Sequence, residues 1–185
     1  MRFVVTGEWR QNRLLRLILA AFLVYVALFW LTNLLLFFAH MGFSYDAVVA
    51  HYLGSDEAFA QPRSFKVLLE VSHAHLFSMG ILLLTMTHLV LFVPLGGSTK
   101  AALVVAAFAS SLADEAAGWL IRYVHPGFAY LKLAGFAGLQ ITLAAMIVVV
   151  AATLWRPAPG MPGKRRRRRR RRAEPPVNGA PSGSR

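Results

Sequence analysis

The chain has 185 residues, of which 57% are hydrophobic, and yet it carries a formal charge of +12. The two properties are segregated: residues 1–155 hold nine Lys/Arg against seven Asp/Glu, and residues 156–185 hold eleven against one. The basic balance therefore belongs to a tail, and nucleic acid is not expected as a partner of the folded part. The absence of cysteine excludes disulfides, thiolate metal sites, iron–sulfur clusters and covalent c-type haem attached through CxxCH.

Residues 1–13 are polar and basic, with Arg2, Arg10 and Arg13. Leu14 to Ala39 is then almost unbroken apolar sequence, interrupted by Arg16, Thr32 and Asn33. About 20 apolar residues cross the hydrocarbon core, so this stretch predicts a first span, 14–39. It is too long for the apolar region of a signal peptide, and no small-residue cleavage site follows closely, so an uncleaved anchor is expected. The interval 40–64 is polar, with a short helix from Ala47 to Leu53, capped by Ser44 or Asp46 and ended by Gly54.

Further spans are predicted at about 65–93, 99–124 and 128–155. Ser64 caps the first of these, Pro94 and Gly96-Gly97 end it, Ser98 caps the next, and His125-Pro126-Gly127 turns the chain into the last. Residues 156–185 surround Lys164 and eight consecutive Arg, Arg165 to Arg172. Like charges repel and little there is apolar, so a disordered tail is expected. Residues 1–13, 14–155 and 156–185 thus read as N-terminus, all-α four-helix membrane bundle and basic tail.

The basic N-terminus, Lys100 between the second and third spans, and the tail all fall on one side if both termini are cytoplasmic. This predicts a multi-pass protein of a bacterial inner membrane, with 40–64 extracytoplasmic. The arginine run, Arg165, Arg166, Arg167 and Arg168 among it, is suited to anionic lipid at the inner leaflet.

Ionisable residues inside a span are costly and each requires a partner, a wet cavity or a role. The second span opens with Glu70-Val71-Ser72-His73-Ala74-His75, and the third carries Asp114, Glu115 and Arg122. All fall in the half of the bundle near residues 40–64, with Tyr130 and Lys132 coming down from that surface and His40 and His125 at its rim. His88 stands apart, on the other half of the second span.

Three readings stand side by side. The polar cluster Glu70, Asp114, Glu115 and Arg122 satisfies itself and fixes helix register, with Arg122 as the electrostatic partner. Alternatively, His73 and His75 bind a metal ion, or haem b with His40 or His125 as partner. The third is proton or quinol handling by a carboxylate beside His, or transport, for which four spans form a pathway only as an oligomer. Against one shared metal site, residues two apart on a regular helix point about 200° away from each other. No phosphate-binding glycine loop, HExxH or GxSxG is present, and the chain reads as non-catalytic.

The stretches Val71-Ser72-His73-Ala74-His75-Leu76-Phe77 and Asp114…Gly118-Trp119-Leu120…Arg122-Tyr123…Pro126-Gly127-Phe128-Ala129-Tyr130 resemble a poorly characterised family of four-helix bacterial inner-membrane proteins. In that family an S-H-x-H-L-F motif opens the second helix. Some members carry an added CxxCH c-haem segment between the first two helices, which this chain lacks. The resemblance implies a shared scaffold, extends to His73, His75, Asp114, Trp119 and Tyr130, and suggests an accessory role beside other membrane redox subunits.

Overall fold

The computed structural model describes residues 12–55 and 59–155. The expected basic tail with Arg165 to Arg168 lies outside them. The chain is all-α: α1 (Arg13–His40), α2 (Tyr45–Leu53), α3 (Phe65–Val90), α4 (Gly97–Tyr123) and α5 (Ala129–Trp155), with a 3₁₀ turn, Pro126–Phe128, before the last. Helices α1, α3, α4 and α5 are each long and apolar enough to cross a membrane, so this is a multi-pass membrane protein.

Local chemistry sets the helix ends. The Asn12 side chain accepts from Leu14 N at 3.0 Å and Leu15 N at 3.3 Å. Ser44 Oγ accepts from Ala47 N, so α2 begins at Tyr45, two residues before Ala47. Ser64 Oγ accepts from Val67 N at the start of α3. Regular α3 stops at Val90 rather than Val93, because Pro94 cannot continue it and disfavours a helical residue before it. Three tighter turns follow instead, Leu91 N bonding His88 O, Phe92 N bonding Leu89 O and Val93 N bonding Val90 O. Ser98 does not cap α4: the extended residue is Gly96 and the helix is already under way at Gly97. Lys100 Nζ, one turn in, donates to Leu91 O at 2.7 Å and so ties the end of α3 to the start of α4.

Helix α5 is the axis of the bundle: 44% of its spanning window is buried, against 11% for α1. Helix α4 runs along it in the most extensive helix–helix contact, while α1 and α3 pack on it from other sides. In the half of the bundle away from α2, Leu23 and Val26 of α1, Leu83, Met86 and Val90 of α3 and Leu143, Met146 and Val150 of α5 form one dry core. At the other end, α2 lies across the bundle as a roof, seating Val48 and Tyr52 against Leu68, Ile121 and Ala129. Large apolar side chains such as Leu17, Val24, Leu28 and Leu35 face outward, as lipid requires.

Five threonines along the spans are satisfied within their own helices. Thr32, Thr85, Thr87, Thr142 and Thr153 each donate to a carbonyl four residues back. The α4–α5 contact depends on a missing side chain. A Cβ at Gly135 would stand 2.6 Å from the backbone nitrogen of Asp114. Close backbone approach through small residues is the usual means of packing spans. Gly135→Ala is therefore expected to separate the helices at about 1–3 kcal/mol, read as a fall of several degrees in the melting temperature of the detergent-purified protein. Gly80→Ala, with open space at the new methyl, is the matched control and should leave the melting temperature unchanged or slightly raised.

Candidate functional site

The close approach at Gly135 places an α5 lysine against an α4 carboxylate. Lys132 Nζ lies 2.9 Å from Asp114 Oδ1 and donates to Asp114 O at 3.1 Å. The Lys132 side chain is only 9% exposed and that of Asp114 19%. Charges this enclosed persist when each neutralises the other. From the roof, Tyr52 inserts its ring over Gly118, where a Cβ would meet the ring at 2.9 Å, and its hydroxyl lies near the Lys132 ammonium.

Asp114 and Glu115 are neighbours on α4, so they point about 100° apart: Asp114 turns to α5 and Glu115 to α3. Ser72 Oγ donates to Glu115 Oε1, and Trp119 Nε1 donates to Ser72 Oγ at 2.7 Å. His75 Nδ1 lies 3.7 Å from Glu115 Oε2. Ser72 and His75 sit three apart on α3, and Glu115 and Trp119 four apart on α4, the spacings that share a helix face.

These groups line one side of a cavity of about 290 Å³. Opposite them stand Asn33, Leu36, Phe37 and His40 of α1, with Val67 and Val71 of α3, Phe136 of α5, and His51 and Tyr52 in the roof. Phe37 stacks on Phe136 with ring centroids 3.7 Å apart, which pins α1 to α5 at this level. A smaller space of about 40 Å³ continues inward past Asn33, Ser111 and Leu139. One α5 turn below, Trp30 Nε1 donates to Gln140 O at 3.0 Å. The buried Gln140 carboxamide has no partner among the described residues. Helix α1 has little direct contact with α3. The two meet in the dry core and stand apart beside the cavity.

The residues singled out from the sequence separate here. Helix α3 is regular across Glu70 to Gly80, so His73 and His75 diverge; His75 reaches the cavity and His73 faces outward. Glu70 does not join the cluster: it points outward and pairs with Lys66 at 3.8 Å, one turn back. Arg122 is not the counter-ion of the carboxylates. Its Nε donates to Arg63 O at 3.0 Å and its guanidinium lies over the Tyr123 ring at 5.3 Å. His125 accepts from Gly127 N at 2.9 Å and holds the turn into α5, away from the cavity. His88 faces outward beside Phe92. Among the described residues, no three His, Cys, Asp or Glu side chains are grouped to hold a metal ion.

Sequence reasoning placed Lys132 at this end of the bundle without pairing it, and it gave Tyr52, His51 and Asn33 no role. A lysine one turn inside the last span was the available signal for the pair. Nothing in the local sequence signals that Tyr52 and His51 fold over the bundle end.

His51 forms the outer edge of the cavity. Its Nδ1 is 3.2 Å from His40 O and 3.5 Å from Arg63 Nη2. Burial first, then the Arg63 guanidinium, lowers its pKa from 6.5 to about 4, against the raising effect of the His40 carbonyl and with smaller contributions from His40 and Lys132. The folded state thus refuses a proton that the unfolded chain accepts. Stability from this group is full above pH 6.5 and falls as the pH drops towards 4. His51→Asn, which keeps a donor for His40 O, should flatten that part of the melting temperature–pH profile; a profile as steep as wild type would assign the acid sensitivity to another group.

The ion pair gives a second expectation. Lys132→Met leaves Asp114 enclosed without its cation and should cost about 3–5 kcal/mol. Lys132→Met with Asp114→Leu removes both charges and should recover most of that loss in a thermal melt.

A family model for a transmembrane helical domain matches residues 42–162, a stretch that contains α2, α3, α4 and α5 and leaves α1 before it. No curated protein and no solved structure matches the chain. With two thirds of its length inside that match and four helices fit to cross a bilayer, the chain belongs to this family of transmembrane helical domains.

Proposed function

We propose that this protein binds the head of a membrane quinone in the cavity beside Glu115 and serves as a non-catalytic, accessory component of a membrane redox assembly. The observation that carries this reading is the composition of one cavity. It sets hydrogen-bond donors and an ionisable carboxylate against stacked aromatic walls. A quinone head is a flat apolar ring with two carbonyl acceptors. Its carbonyls suit the Lys132 ammonium and the His75 imidazole, and its ring suits the Phe37–Phe136 wall. Glu115, held by Ser72 and facing His75, is a group that can exchange a proton with a bound quinol. Electrons would come from a partner subunit. Haem b fits this cavity less well, because His73 faces outward, His125 lies outside the lining and about 290 Å³ is small for a porphyrin.

In this reading the membrane is a bacterial inner membrane. Arg13, Arg16 and Lys100 lie at the end of the bundle opposite α2, and the arginine run follows the end of α5, so both termini are cytoplasmic by the positive-inside rule. Arg165 to Arg168 then lie beside the inner leaflet, where each basic residue contributes about 1 kcal/mol of attraction to anionic lipid.

Trp119 provides the test, since quinones quench indole fluorescence at short range. Titration of the detergent-purified protein with a quinone lacking a tail should give saturable quenching, and Trp119→Phe should abolish the saturable part. Glu115→Gln and Lys132→Met should each weaken binding about 10–100-fold, the effect of losing a hydrogen bond to a charged group. Glu70→Gln, outside the cavity, should bind as wild type. Absence of saturable quenching, or a haem Soret band in the purified protein, would defeat the quinone reading.

A further inference from the structure

We infer that the ligand of this cavity carries one long apolar tail, and that the tail leaves sideways between α1 and α3 into the membrane leaflet on the α2 side. The inference rests on the quinone reading above and adds the form of the ligand and its path.

Leu36 of α1 and Val67 and Val71 of α3 line the cavity, yet they are 56%, 37% and 44% exposed. A side chain that does both marks a place where the cavity wall gives way to the outer surface. The gap is bounded on every other side. Below, the space ends on the dry core, where Leu23, Val26, Leu83 and Met86 are buried in one cluster with α5 side chains. Above, α2 is seated over the bundle end. Towards α5, Phe37 is stacked on Phe136.

Depth identifies what lies outside the gap. Val71 is six residues inside α3, about 9 Å by helical rise, and His75 about 15 Å. A bilayer core is about 30 Å thick, so the mouth faces hydrocarbon. A second way out, past His51 and Arg63, leads over the bundle end to a hollow lined by Ala50, Gln61, Pro62 and Ser64. A tail leaving there would enter the polar interval beyond the spans, whereas the lateral route opens on hydrocarbon and is matched to an apolar chain.

Size and charge restrict the occupant. At about 290 Å³ the cavity lies at the small end of ligand sites, enough for one ring but not for a long-chain amphiphile. The remainder must lie outside. Asp114 and Glu115 offset Lys132 and Arg63 around the space, so no net positive charge favours a phosphate head. A neutral head with a single tail is the class that satisfies both limits.

The test compares two quinones with the same head, one without a tail and one with a long isoprenoid tail, on full-length protein in lipid nanodiscs. Wild type should bind the tailed form at least tenfold more tightly. Val71→Trp should fill the mouth, remove that preference and weaken binding of the tailed form at least tenfold more than that of the tailless form. In case the indole disturbs folding, the chain has no native cysteine, so Leu36→Cys with Val71→Cys can be bridged by a bismaleimide in the folded protein. Bridging before addition should block the tailed quinone alone. Loss of both ligands together, or an unchanged preference with the mouth filled or bridged, would overturn the lateral path while leaving the cavity reading in place. Failure of wild type to bind either form would remove the cavity reading and this inference with it, and tight binding of a two-chain anionic phospholipid in place of the tailed quinone would overturn the ligand class.

Discussion

The pairing of Lys132 with Asp114 is the constraint on which the outer half of the bundle depends. Neither charge is tolerated alone in a low-dielectric interior, so α4 and α5 must meet at this level, with this rotation. The glycine at 135 makes the approach geometrically available, and the ion pair makes it necessary. With Asp114 directed at α5, its neighbour Glu115 is turned by helical geometry towards α3. There Ser72 donates to the second carboxylate, Trp119 donates to Ser72, and the His75 ring stands 3.7 Å from the other carboxylate oxygen. Two adjacent acidic residues thereby fix the orientation of three helices.

The architecture was legible because lipid enforces a strong signal. Each span is a long apolar run, and polar punctuation between runs reflects the need to satisfy backbone groups outside the bilayer. Caps were legible where one candidate stood at the boundary, as at Ser64, and ambiguous where glycine allowed an earlier start, as at Gly96 rather than Ser98. The divergence of His73 and His75 followed from spacing alone. Which of the two faces inward did not, because both lie among apolar neighbours and the choice is made by the position of α4.

The identity of the cation was harder. Arg122 shares a face of α4 with Glu115, seven residues away, which made it the natural partner in one dimension. In three dimensions the next helix brings Lys132 nearer to the carboxylates, and Arg122 is drawn to the carbonyl of Arg63 on the segment leading into α3. Likewise Glu70 has Lys66 one turn away and an open surface, so it is satisfied locally and exerts no pull on the bundle. Helical periodicity predicts neighbours within an element. It is silent on competition between elements, and the cluster's membership is decided by that competition.

The cavity itself arises from an asymmetry in packing. Helix α1 is anchored to α5 by the Phe37–Phe136 stack and the Trp30 hydrogen bond, so its polar-half contacts are directed at α5 and not across to α3. In the dry half, aliphatic and methionine side chains of α1 and α3 share one buried cluster with α5. In the other half Leu36 and His40 of α1 and Val67, Val71 and His75 of α3 line a space beneath the roof instead. The family match begins at residue 42, so the wall contributed by α1 lies outside the matched stretch. The carboxylates, lysine and histidine sit on α3, α4 and α5 within that stretch, whereas the cavity they line has α1 as its further wall. Removing the Phe37–Phe136 stack would thus free α1 to close on α3 and would erase the cavity without touching any polar group that lines it.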